Sequence, residues 1–210
     1  MRDTSLPQKG LIDILTYWPL YPVLAIALVA YAPGAGLRGS WIGGYLSDIY
    51  GLDAGQIGTA TLFMAGAMIA GSFIFGAADR VATPRNVVLM SSGFGLAAVV
   101  VLWLTAGNAS LLMTVGLFMA IGFAASNYPQ VINQGRAMMP PELVGRGVTL
   151  VNLFSIGGVG LGQMVTARAF DAVGGEQLDA YRTVFGILAL GLAFGLVTFL
   201  LGRRKEPSHA

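Results

Sequence analysis

Arg38 carries the most chemical consequence in this sequence, because it stands inside a long apolar stretch where an ion has no water to solvate it. It lies about eight residues before the end of that stretch, some 12 Å below the boundary at 1.5 Å per residue. An ionised side chain at that depth costs at least about 2.5 kcal/mol unless it faces a cavity or a partner. Two functional readings follow: a contact for an anionic solute, or an ion pair with a carboxylate on another helix. The structural alternative is that Arg38 snorkels to the nearby interface, with the Gly-rich run APGAGLRGSW ending the helix early. All ten Asp and Glu residues fall in loops, tails or stretch ends, so a proton relay made by this chain alone is not expected.

Amides form the second group. Asn127, Gln130 and Gln134 are spaced by three and four, which puts them on one helical face. At 100° per residue, Asn152, Ser155, Gln163 and Thr166 form a narrow stripe on a later helix. In lipid such stripes face inward, either lining a solute cavity or hydrogen-bonding neighbouring helices at about 0.6 kcal/mol per contact. Gly158 and Gly162 make a small-residue packing pair beside the second stripe, which favours helix contact there. Other chemistries lack their residues. The sequence has no cysteine and a single histidine, His209, in its C-terminal tail, so a metal site, thiolate chemistry and a Ser–His dyad all lack partners. Paired carboxylates for an aspartyl hydrolase are also missing from the apolar stretches. No cofactor, metal or enzymatic activity is expected, and a dispersed net charge of +2 gives no reason to expect nucleic acid.

These residues must be positioned by membrane helices. Of 210 residues 55% are hydrophobic and only 10% charged, where a soluble domain carries about 25% charged residues. A span takes about 20 apolar residues, and only a helix satisfies its own backbone in hydrocarbon. Six stretches qualify, near residues 20–46, 56–78, 87–104, 111–134, 148–170 and 181–201, joined by short connections in a single domain. The expected fold is an all-α, integral membrane six-helix bundle. Nine Lys and Arg residues fall on one side (Arg2, Lys9, Arg80, Arg85, Arg136, Arg146, Arg203, Arg204, Lys205) and two, Arg168 and Arg182, on the other. Basic residues mark the cytoplasmic side, so both termini are expected there. The polar opening Met1–Gly10 is not expected to be a signal peptide, and the third and sixth stretches read as support helices, the sixth with nothing polar at its centre beyond small residues.

The connection after the second stretch reads Gly76-Ala-Ala-Asp79-Arg80-Val-Ala-Thr-Pro-Arg85. It resembles the cytoplasmic motif G-x-x-x-D-R-x-G-x-R/K of the major facilitator superfamily. Asp79, Arg80 and Arg85 match, the leading glycine is one residue too close, and Ala82 replaces the second glycine. The segments Trp41-Ile-Gly-Gly-Tyr-Leu-Ser-Asp48 and PPELVGRGVTLVNLFSIGGVGLGQ resemble the first and fifth helices of the second half of bacterial members. The resemblance implies a bundle of two inverted three-helix repeats in the inner membrane, acting in secondary transport of a small solute. It also implies a gating role for Asp79, Arg80 and Arg85 through contacts with a neighbouring helix end. Solute in this fold sits between two bundles, so a first-half bundle or a second copy of the chain is the expected partner besides the lipid bilayer. The alternative is an oligomeric channel or membrane assembly subunit without active transport.

Overall fold

The computed structural model describes residues 14–78 and 80–202. These fold into six long helices, α1 (Trp18–Tyr50), α2 (Ala54–Ala78), α3 (Pro84–Thr105), α4 (Leu111–Met138), α5 (Pro141–Ala172) and α6 (Gln177–Leu201). Each is long and apolar enough to cross a membrane, and no strand occurs among the described residues. Helices run past the expected apolar ends because their last turns are polar. α1 continues through Ser47 and Asp48 to Tyr50 and stops at Gly51, whose φ of 67° is the left-handed cap that glycine adopts without strain. The starts are set by capping chemistry. Asp53 and Gln56 satisfy each other's backbone N–H groups at the head of α2, and Ser110 accepts from Met113 N at the head of α4. α5 begins at Pro141, earlier than expected, since a proline loses nothing in a first turn whose N–H groups have no helical acceptor.

The helices form two layers. A front row runs α5–α1–α4–α2, and α6 and α3 pack behind it on α1 and α4 respectively and on each other. Exchanging α1 with α4, α2 with α5 and α3 with α6 maps most of these contacts onto one another, as two inverted three-helix repeats require. α1 is the most enclosed helix, whereas α2 and α5 form the open flanks.

Close packing depends on missing side chains. A Cβ on Gly158 would overlap the Leu28 carbonyl of α1, and one on Gly195 of α6 would overlap Val29. Gly158→Val therefore has no rotamer solution, because its obstacle is backbone, and overpacking of this kind costs about 1–3 kcal/mol or more. Thermal unfolding in detergent should show Gly158→Val strongly destabilised and Gly157→Val, whose Cβ meets nothing, unchanged. Equal melting of the two variants would contradict the α1–α5 packing.

Both ends of α1 are fixed. At the end beside the α3–α4 connection, the Asp48 carboxylate accepts from Tyr181 Oη and Gln177 Nε2 of α6, each at 2.5 Å. Tyr45 Oη accepts from Gly107 N, Tyr50 Oη donates to the Ala109 carbonyl, and Arg182 Nη2 donates to the Ala106 carbonyl. At the other end, where Arg80, Arg85, Arg136 and Arg146 cluster in sequence, Tyr17 Oη donates to the Met138 carbonyl. The middle of α1 is thereby held in a defined register.

Candidate functional site

The middle of α1 is irregular. It breaks at Tyr31, resumes at Ala32–Gly36, then passes through a π turn at Leu37–Trp41 before continuing as Ile42–Tyr50. Pro33 explains the break, since it has no N–H to donate and its ring crowds the preceding turn. The Gly-rich run does not end the helix, which continues to Tyr50. Arg38 is twelve residues from Tyr50, about 18 Å along the axis, and the turn that carries it is of the kind often found at functional sites.

α4 has the matching interruption. It breaks at Ser126 and Asn127 and restarts at Tyr128, just before Pro129. Proline-interrupted apolar segments in corresponding positions of two repeats are the best pointer to a transporter's binding region. The two breaks meet: Gly34 packs directly on Ala125, and the Tyr31 and Tyr128 rings lie 5.3 Å apart between centroids. Tyr128 Oη also donates to Asn152 Oδ1 of α5, so α4 and α5 join across the front of α1 at this level.

Above this bridge α1 is uncovered. Arg38, Gly39 and Ser40 are exposed, while Val23, Leu24, Ile26 and Ala27 below it are buried. Arg38 lies seven residues beyond Tyr31, about two helical turns along α1. Gln163 Nε2 of α5 donates to Ser40 Oγ at 3.0 Å, and Trp41 Nε1 donates to Thr166 Oγ1 at 3.2 Å. These bonds staple the π turn to α5. Among the described residues no ion pair or hydrogen bond to Arg38 occurs; the single ion pair there is Arg182 with Asp179, at 3.6 Å.

The amides of α4 lie elsewhere. Asn127 and Gln130 are buried at 1% and 2% exposure, inside the bundle and off the front face. Asn127 Nδ2 donates to Ser91 and Ser92 of α3, at 2.6 and 3.1 Å, and Gln130 Nε2 to the Phe75 carbonyl of α2 at 3.0 Å. Gln134 is half-buried. The α5 stripe divides: Ser155 and Thr166 are buried towards α1, while Asn152 and Gln163 line the front. Sequence reasoning missed Tyr31, Ser40 and Tyr128. The signal was available in Tyr31-Ala-Pro33 and Tyr128-Pro129, a tyrosine just ahead of a proline in the first helix of each repeat.

Asp79 lies outside the described residues. Arg80 is exposed. Arg85 Nη2 donates to the Leu200 carbonyl at 3.0 Å, with its guanidinium 5.0 Å above the Phe199 ring. A cation there satisfies a terminal carbonyl and meets the negative end of the α6 dipole. An apolar groove of about 360 Å³ between α2 and α4 is bordered by Leu52, Gln56, Phe63 and Leu112, and offers no charge to a polar solute.

Six spans, inverted repeats and paired broken helices describe a transporter bundle, and the profile of the Major Facilitator Superfamily matches residues 16–210. The chain belongs to that superfamily. No curated protein matches it. Within the major facilitator fold α1 and α4 are the first helices of their repeats.

Proposed function

We propose that the chain is one half, by resemblance the second, of a transporter that moves a small solute across the cytoplasmic membrane by alternating access. The observation that carries this reading is the uncovered front face, with Arg38, Ser40 and Asn152 exposed in mid-span. Lipid tails satisfy none of these groups. A second six-helix bundle, a first-half partner or another copy, closes over the face and leaves the solute between them. Arg38 is the principal solute contact, seated on a turn that Ser40 and Trp41 hold to α5. Asn127 and Gln130 fix the broken α4 against α3 and α2, so that Tyr128 is presented at the front, and Gln134 stands one turn beyond them. Asp79, Arg80 and Arg85 form the gating motif, with the Arg85 contact to the end of α6 as one that breaks and re-forms.

In membrane vesicles holding the complete assembly, uptake should saturate, concentrate the solute against its gradient and stop when the driving gradient is collapsed. Flux that rises linearly and only equilibrates the solute would identify an oligomeric channel instead.

The distribution of basic residues places both termini in the cytoplasm. The native chain has no cysteine, so single cysteines at Ala82 and Asn108 report topology without background. An impermeant thiol reagent added outside intact cells should label Asn108→Cys and spare Ala82→Cys. Equal labelling would overturn the orientation.

A further inference from the structure

The front face also constrains what the solute is. Arg38 is the single basic residue in the middle of a span, the others lying near span ends, and among the described residues no carboxylate pairs with it. Asp48, ten residues further along α1, is occupied by Tyr181 and Gln177. One uncompensated charge in a low-dielectric site favours a monoanion, because a dianion would leave a net negative charge there at a cost of several kcal/mol. The guanidinium presents a planar fork of donors that matches a carboxylate in two places. Ser40, two residues further on, accepts from Gln163 Nε2 of α5 and so holds the turn that carries Arg38.

Seven residues below Arg38, about 10 Å along the axis, the Tyr31–Tyr128 pair offers an aromatic platform, tilted by 36° between rings. The Tyr128 hydroxyl is engaged by Asn152, whereas no hydrogen bond to the Tyr31 hydroxyl occurs among the described residues. Rings stack on rings with an offset at such distances and gain about 0.5–1.5 kcal/mol beyond the area they bury.

From these juxtapositions we propose that the solute is a small cyclic or aryl carboxylate, its carboxylate on Arg38 and its ring on the Tyr31–Tyr128 pair. The inference rests on the reading of this face as the solute site. It divides the site into a charge-reading level and a ring-reading level, which separate substitutions can address.

The test is ligand-observed saturation-transfer NMR on the 210-residue chain in lipid nanodiscs, with empty nanodiscs as the blank for partitioning. The probes are 3-phenylpropionate, its neutral isostere 3-phenylpropionamide, and propionate, each at millimolar concentration. Phenylpropionate should receive about tenfold or more saturation than the amide, as expected for a charge-assisted contact. Arg38→Ala should abolish transfer to both acids. Tyr31→Ala should reduce transfer to phenylpropionate and leave propionate unchanged. Equal transfer to acid and amide, or no transfer to phenylpropionate above the blank, would overturn the proposal. If the amide equals the acid and Arg38→Ala still abolishes both, the anion class falls while Arg38 stands as a solute contact. If Arg38→Ala changes nothing, the reading of the face itself falls. Loss of propionate with no effect of Tyr31→Ala on phenylpropionate would refute the ring level alone.

Discussion

Arg38→Ala should abolish solute transport by the complete assembly and leave membrane insertion intact. Placing an arginine at the centre of a span costs about 2.5–3.5 kcal/mol on insertion scales, so its removal helps insertion if it changes it. The neighbours that shape the π turn are bonded independently of Arg38: Ser40 to Gln163, Trp41 to Thr166, and Gly34 against Ala125. The substitution therefore removes one group from the front face without loosening α1. A solute that relies on the guanidinium loses its counter-charge, and the deficit appears as lost binding or lost turnover. Arg38→Lys separates two roles, because lysine keeps the charge but not the planar fork. Activity retained in Lys indicates a simple ion pair, and loss in both variants indicates two-point recognition. Uptake assays at matched expression decide the matter. Normal transport by Arg38→Ala would move the solute contact to Tyr128, Asn152 and Gln134.

The fold was legible because hydrocarbon admits few solutions. Charge-poor stretches of helical length, separated by prolines, glycines and basic residues, fixed six spans and their count. Their ends were less legible, since Ser47–Tyr50 of α1 and the polar turn before Met138 continue their helices after hydropathy has fallen. The candidate site was half legible. Arg38 announces itself by its cost in lipid. The amides Asn127 and Gln130 announce themselves in the same way, yet helical spacing states only which residues share a face, and it leaves open whether that face meets a cavity or another helix. Ser91 and Ser92, 36 and 35 residues from Asn127, and the Phe75 carbonyl, 55 residues from Gln130, supply the answer only through tertiary contact. Tyr31 and Tyr128 were hidden for the opposite reason. A tyrosine in an apolar span passes for ordinary packing until the proline beside it is seen to break the helix in both repeats.

The second large effect concerns sufficiency. The front row exposes Arg38, Ser40 and Asn152 at depths where lipid provides no hydrogen bonds. In the proposed reading one bundle alone presents half of a solute site and no opposing wall against which to alternate. Neither the two helix breaks nor the Tyr128–Asn152 bridge can seal a path that has only one side. The central claim, that this chain works as one bundle of a two-bundle transporter, is tested most directly by reconstitution. The purified chain is placed in proteoliposomes at a dilution where cross-linking demonstrates monomers, and gradient-driven uptake is compared with vesicles containing the chain joined by a first-half bundle or by a second copy. The account predicts no saturable uptake by the monomer and saturable, gradient-dependent uptake once the front face is covered. Robust, saturable uptake by the demonstrated monomer would contradict it.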